Sequence, residues 1–408
     1  MTDTASRQDP APAVAGGPEA IWGAYLDLLK PAAALAEQVG GPRSADVEYA
    51  LYRQFAMNLA QGYFIYFQLD PKFPEFMPFE HSVFLAQPNP DSVYYLARIE
   101  AGGVYRVTGR RGDAPVAGFG LIGTLIGTGT PPGPGYGNFD IDDLQLADDG
   151  AFEVVFSETR PDGYAGDWRY THPQAQFLLV RQFSVNWGED VDVQVAIERL
   201  DPTGAKPPMT PAVTDAKLRE LFGGYAERLS ALCIGTVNRL AEKGFVNRAK
   251  LEDYNDYGNT DDWPQAYWEC VFDIADDEAL VIETDMPDTC HYWNVQVIDA
   301  LWNQVEMVYR QSSLNNAQAK LDPDGKFRAV LCATDPGLHN WLDTNGCRYG
   351  MLIGRWYRAS AHPVPVLTKV KIQELDRRFP ATSPRVTPEQ RQAMLRKRVV
   401  GNQMRRKW

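Results

Sequence analysis

Phe177-Leu178-Leu179-Val180-Arg181 and Met351-Leu352-Ile353-Gly354-Arg355 are two versions of one strand, and the sequence around each of them matches in the same order. Asp149-Gly150-Ala151-Phe152 answers Asp324-Gly325-Lys326-Phe327, Pro161 answers Pro336, and Trp168 answers Trp341. Downstream, Val191, Val193, Val195 and Ile197 answer Val366, Thr368, Val370 and Ile372; upstream, Gly118-Phe119 falls on Tyr292-Trp293. A turn, a Trp and an Arg kept in one order at a near-constant offset are the mark of an internal duplication.

Each copy reads as β structure. Phe152, Val154 and Phe156 alternate with polar neighbours, as do Val191, Val193, Val195 and Ile197, which is the period of half-buried strands. Outside the copies the period is helical. Ile21, Leu26 and Leu29, then Leu51, Phe55, Leu59 and Phe64, predict helices over 18–38 and 44–69, with Lys30-Pro31 breaking the first. After the linker-like 201–208, a stripe of Leu218, Leu221, Tyr225, Leu229, Leu232, Thr236 and Leu240 predicts one long helix over about 214–243, ended by Gly244. The expected fold is mainly β with helical additions (α+β): two tandem, internally duplicated jelly-roll-like β-sandwich units, N-terminal helices and a linking helix. The expected division is a flexible tail (1–17), helices (18–75), a first β unit (76–200), linker and helix (201–264), a second β unit (265–375) and a basic C-terminal arm (376–408).

Composition sets the class. Of 408 residues, 44% are hydrophobic and 23% charged, enough to bury a core. A net charge of −13 makes nucleic acid a poor partner. There is no apolar run of membrane-spanning length, and the polar start lacks a signal peptide's apolar region, so a cytoplasmic location is expected. The five cysteines, Cys233, Cys270, Cys290, Cys332 and Cys347, are scattered and unpaired, which suits a reducing compartment. The exception to the acidity is the stretch 385–408, with eight Lys/Arg against one Glu. Thr387-Pro388-Glu389-Gln390 reads as a capped helix start there. This arm either anchors an anionic partner or lies against the acidic body or a neighbouring subunit.

The stretches Arg310-Gln311-Ser312-Ser313-Leu314-Asn315, Asp335-Pro336-Gly337, Asn340-Trp341-Leu342-Asp343-Thr344 and Arg355-Trp356 resemble the bacterial family called domain of unknown function 1214. Asn89-Pro90-Asp91 and Tyr105-Arg106-Val107-Thr108-Gly109 are similar to it in the first half, so the resemblance covers roughly 79–358. Larger proteins of the group carry a domain of unknown function 1254, of which no full copy is read here. The resemblance implies a jelly-roll-like fold, helical additions and oligomerisation; it implies no reaction.

No cofactor motif is present. Gly118-Phe119-Gly120-Leu121-Ile122-Gly123 has dinucleotide-motif letters but lies in a strand-like run, and the Gly/Pro loop after it lacks the Lys-Ser/Thr of a phosphate loop. No nicotinamide, flavin, haem or pyridoxal cofactor is expected, nor a metal, since the five His show no ligand spacing.

The segment 335–343 holds a His, an Asn and two Asp, and the matching first-half loop has no His. That asymmetry nominates His339 as acid or base and Asp343 as its orienting carboxylate. A plain Asp-Pro-Gly turn is the other reading. Arg310, Ser312 and Asn315 are candidate binders of a substrate anion, with Asn340 in the same loop, and Tyr292 or Trp293 as one wall, since neighbours on a strand face opposite ways. Arg355 and Arg181 share strand faces with large apolar side chains and need an acceptor, either a loop Asp or a ligand.

Three functions fit. The first is a cofactor-independent enzyme, a lyase, cleaving a carbon–carbon bond of a small aromatic or apolar substrate by acid/base chemistry. The second is a carbohydrate-binding or carbohydrate-processing protein with exposed aromatics in an open groove. The third is a non-catalytic assembly protein. A homo-oligomer, dimer or tetramer, is expected, with the helices or the arm's Leu395, Val399, Met404 and Trp408 at its interface.

Overall fold

The structure, a computed structural model, describes residues 17–81, 83, 85–129, 133–201, 203–252 and 263–405. The expected flexible tail (save Gly17) and Trp408 lie outside these residues, as does part of the linker stretch.

The first unit runs through strands β1 (Met77–Pro78), β2 (Ser92–Arg98), β3 (Tyr105–Arg110), β4 (Val116–Ile122), β5 (Gly135–Asp140), β6 (Ala151–Ser157), β7 (Asp167–Tyr170), β8 (Phe177–Phe183) and β9 (Gln194–Arg199). The second runs through β10 (Lys250–Glu252), β11 (Gln265–Asp273), β12 (Glu278–Thr284), β13 (Cys290–Asp299), β14 (Ser313–Asn315), β15 (Phe327–Cys332), β16 (Trp341–Asp343), β17 (Tyr349–Ala359) and β18 (Val366–Lys371). Each unit is a sandwich of a five-stranded and a four-stranded sheet. The orders β1-β2-β8-β4-β5 and β7-β6-β3-β9 recur strand for strand as β10-β11-β17-β13-β14 and β16-β15-β12-β18. Even the single parallel pair of each unit, β6–β7 and β15–β16, sits at the same place.

Ladder registers fix the residue equivalences. Arg181 lies opposite Tyr94, and Arg355 opposite Tyr267. Trp168 pairs with Val155 three residues after Phe152; Trp341 pairs with Val330 three after Phe327. The Arg, Trp and Phe matches therefore hold. Two others shift. Gly118 opposes Arg181 while Asn294 opposes Arg355, so Gly118 corresponds to Asn294 rather than to Tyr292. On the outer edge, Ala196 and Val366 occupy one position, so the Val191/Val366 alignment is five residues out. A shift of five also exchanges the two faces of the strand, and only pairing partners reveal it.

The five-stranded sheets bury both faces. Leu178 and Val180 enter the first sandwich with Phe119 and Phe156, while Phe177 and Leu179 face away into a second core. In the other unit Leu352 and Trp356 enter the sandwich, and Met351 and Ile353 face that same second core. The continuous apolar run of β8 and β17 follows from this. Between the two sheets lies a shared core, closed by helices.

Those helices are α1 (Pro18–Asp27), a 3₁₀ segment (Lys30–Gln38), α2 (Ala45–Tyr63), α3 (Pro211–Glu220) and α4 (Ala226–Glu242). Ser44 caps α2 through the Val47 amide, and Thr210 caps α3 through that of Val213. The expected single helix is α3 and α4 joined by a π-helical turn, Leu221–Tyr225; α2 ends in another, Phe64–Gln68. The turns meet where Gly62 lies so close to Leu221 and Tyr225 that a Cβ would stand 2.2 Å from Leu221 Cδ1. Asn58 ties α2 to α4 by donating to Ala226 O and Ser230 Oγ, both at 2.9 Å.

After the short α5 (Leu375–Arg378), α6 (Pro388–Met404) opens on the expected capping box of Thr387 and Gln390. The arm lies on the body, through arginines seven residues apart rather than apolar residues. Arg391 pairs with Asp335 and stacks on Trp341; Arg398 and Arg405 both stack on Trp187. Val400 and Met404 remain exposed. Among the described residues no helix is long and apolar enough to cross a membrane.

Candidate functional site

A cavity of about 190 Å³ opens between the two five-stranded sheets, beneath α4. Leu121, Ile122, Leu125, Leu179 and Leu232 make its apolar wall, and Glu80, Tyr94, Arg181, Tyr267 and Arg355 converge on it. Its rim is strained. Glu80, Ala86, Gln87 and Trp302 all line it with φ between 57° and 62°, and they are four of the seven described non-glycine residues with left-handed backbone. Such conformations persist only where the surroundings enforce them, and they gather at functional sites. Here the enforcement is visible. Gln61 Oε1 accepts from the Glu80 amide at 2.6 Å, and the Gln87 amide donates to Trp302 O at 2.8 Å.

Glu80 follows β1 in the turn Pro78-Phe79-Glu80-His81. Its carboxyl has no hydrogen-bond partner among the described residues. The residue is half-buried and lines the cavity. Burial pushes its pKa up to about 8, against the pull of the Arg181 guanidinium. A carboxyl that titrates near neutrality is a group suited to moving protons.

The duplicated arginines meet in this cavity, but their states differ. Arg355 is buried; it donates to Gln296 Oε1, to Asn294 Oδ1 at 3.2 Å and to Gln87 O at 3.4 Å, and stacks on Tyr267. Arg181 lies over the Trp263 ring, 4.4 Å from its centroid, and makes no hydrogen bond or ion pair among the described residues. Gly120 makes room for it: a Cβ there would stand 3.2 Å from Arg181 Nη2. No loop Asp holds Arg181.

Of the residues singled out from sequence, Arg355 and Arg181 line this cavity, and the others lie elsewhere. His339 is buried, with Nε2 3.0 Å from Gln318 O and Nδ1 without a partner among the described residues, and desolvation pushes its pKa down. Asp343 is bonded elsewhere: Oδ2 accepts from Arg310 at 2.9 Å and Oδ1 from the Asn345 amide at 2.8 Å. The structure thus joins Asp343 to Arg310, not to His339. Asn340 braces its loop through Lys320 and Arg328. The buried Ser312 hydroxyl has no partner among the described residues.

Tyr292 and Asn315 gather around Asp91 instead. Tyr292 Oη donates to Asp91 Oδ2 at 2.7 Å, while Asn315 Nδ2 and Trp187 Nε1 donate to Oδ1 at 2.7 and 2.8 Å. This network links the two units. Trp293 points the opposite way, into the second sandwich core. Sequence reading missed Glu80 and Tyr94, and marked Tyr267 and Trp302 only as two of the many aromatic residues in the second half, some of which could line a pocket. The structure sets each of the two tyrosines directly across the ladder from a duplicated arginine, a pairing the sequence alone does not display; Glu80 carried no signal beyond being charged within an apolar stretch. Among the described residues no group of three His, Cys, Asp or Glu could hold a metal ion.

Residues 272–361, within the second unit, match the family described as Protein of unknown function (DUF1214). A crystal structure of an uncharacterised protein from Burkholderia cenocepacia is 27% identical, with 87% of this chain and 98% of that one covered and a TM-score of 0.79. A protein of Vibrio parahaemolyticus is 13% identical, with 83% and 100% covered and a TM-score of 0.46. No curated protein matches the chain.

Proposed function

We propose that the protein, residues 272–361 of which match this family, is an acid–base enzyme, a carbon–carbon lyase acting on a small aromatic or apolar substrate in the cavity between the units. One observation carries the reading: a carboxyl pushed to about 8 shares an apolar cavity with two cations. Below pH 8 Glu80 is mainly protonated. When the carbon–carbon bond breaks, its electron pair stays on one fragment, whose carbon takes the Glu80 proton; the other fragment gives up its hydroxyl or carboxyl proton to solvent and leaves with a new carbon–oxygen double bond, and solvent reprotonates the Glu80 carboxylate. Arg181 and Arg355 stabilise the negative charge while it exists. Strained backbone around the cavity supports the same placement.

The test is a substrate screen followed by Glu80→Gln. The variant should lose roughly 100-fold or more in rate, the usual worth of general acid–base catalysis. The wild-type rate should fall as pH rises through about 8. A variant with wild-type activity would end this reading.

The His339 site is the second reading, favoured by the unpartnered Nδ1 of a buried imidazole. The carbohydrate reading has less support, because Trp263, Trp268, Tyr292, Trp293, Trp302, Trp341, Trp356 and Tyr357 are all buried. A homo-oligomer remains part of the proposal, supported by exposed Trp22 and Leu26 on α1 and Tyr49 and Tyr52 on α2; light scattering that shows a monomer would remove it.

A further inference from the structure

The cavity holds two guanidinium groups of different availability. Arg355 has its donors occupied by Gln296, Asn294 and the Gln87 carbonyl. Arg181 is fixed by the Trp263 ring on one side, and its terminal nitrogens bond to nothing among the described residues. A planar fork of donors, held rigid by stacking, fits a carboxylate in a bidentate manner. One open fork takes one carboxylate; a dianion would need the second, which the protein already fills. The rest of the wall is aliphatic, with Leu121, Ile122, Leu125, Leu179 and Leu232. A cavity of about 190 Å³ accepts a body somewhat larger than benzene, which fills one of about 150 Å³.

Resting on the reading above, we propose that the substrate class is a small monocarboxylic acid with a compact apolar or aromatic body, on the order of ten non-hydrogen atoms, its carboxylate held by Arg181. Charge in the cavity favours this ligand. Glu80 faces Arg181 and Arg355 from the sheets, Tyr94 and Tyr267 beside them, and Tyr225 and Cys233 from the helical side. Burial pushes Tyr94, Tyr225 and Cys233 up, so they stay neutral. With Glu80 protonated, the cavity presents two cations and no anion. Once Glu80 ionises, its negative charge opposes that of the ligand, so the acid binds more weakly as pH rises through about 8.

Isothermal titration calorimetry of the full chain with benzoate and the neutral benzamide tests this without turnover. At pH 6.5 benzoate should bind at least tenfold more tightly than benzamide, and Arg181→Gln should erase the difference. Between pH 6.5 and 9.5 benzoate affinity should fall about tenfold in the wild type and stay level in Glu80→Gln, a comparison that stands even if Arg181→Gln does not fold. Benzamide binding as tightly as benzoate, binding of neither, a preference that survives Arg181→Gln, or an affinity flat with pH in the wild type each overturns the proposal. The two claims fail separately. Benzoate binding as expected beside a fully active Glu80→Gln sinks only the acid–base reading, whereas a Glu80-dependent reaction on a neutral substrate sinks only the substrate class.

Discussion

Replacing Glu80 by Gln should stabilise the protein, and only at high pH. In the unfolded chain this carboxyl titrates near 4.5; in the cavity it is pushed to about 8. Below pH 4.5 both states hold the proton and burial costs nothing through ionisation. Between 4.5 and 8 the unfolded chain releases its proton and the folded one does not, so stability falls as pH rises. Above 8 the loss is complete. At about 1.36 kcal/mol per pKa unit the ceiling is on the order of 5 kcal/mol. Water reaching the cavity reduces that to about 2–3 kcal/mol. Gln has the shape of the protonated acid and does not ionise. Urea denaturation followed by circular dichroism should give near-equal stabilities at pH 4.5 and a gain of about 2–3 kcal/mol for Glu80→Gln at pH 9. Glu269, pushed to about 7, and Asp299, to about 6, weaken the wild type over overlapping ranges, and the difference between the two proteins cancels their share. A stability difference that does not change with pH would show that burial does not raise the Glu80 pKa, and the site argument would fall with it.

Asp91→Ala should destabilise by about 3–5 kcal/mol in urea denaturation, because it strands the Tyr292, Trp187 and Asn315 donors and removes the buried negative charge felt by Arg398 and Arg405; Asp91→Asn should recover part of the loss. Gly62→Ala should lower stability by about 1–3 kcal/mol, since its Cβ would meet Leu221 Cδ1 at 2.2 Å and the two π turns would have to part. Once a substrate is found, His339→Ala and the first-half control His172→Ala should both keep most of their activity if the cavity between the units is the working site, and a loss of about 100-fold or more confined to His339→Ala would move the site to the second unit.

The duplication was legible because it rests on residues with strict environments. Asp-Gly turns, a Trp beside a parallel strand pair and an Arg on a strand face do not drift, so their order survived. Register was less legible. The β9 edge alternates in and out but β18 does not, and apolar letters spaced by two on two edge strands fix neither the shift nor the face. The capping box of α6 could be read directly, since its letters are its mechanism, but the α6 contacts could not. A helix with a weak apolar face gives no sign that Arg391, Arg398 and Arg405 would turn inward to meet carbonyls and rings.

The candidate site was only half legible, and the reason lies in how duplicated folds generate sites. What one copy has and the other lacks points to His339, because a difference is visible along a single sequence. A cavity on the boundary between two copies is built from what they share, and a shared residue looks structural when each copy is read alone. Arg181 and Arg355 match so well that an internal role for both was the natural reading, and for Arg355 the structure gives much of that role. The difference between the copies lies one level higher, in neighbours. Asn294 and Gln296 stand ready to occupy Arg355, whereas Gly118 and Gly120, on β4 beside Arg181, offer it no side chain. Removing those acceptors from one copy frees one guanidinium. The strained turn carrying Glu80 then brings a carboxyl to the same space. Identical arginines become one brace and one open donor through the residues across the ladder, a relation no single position in the sequence displays.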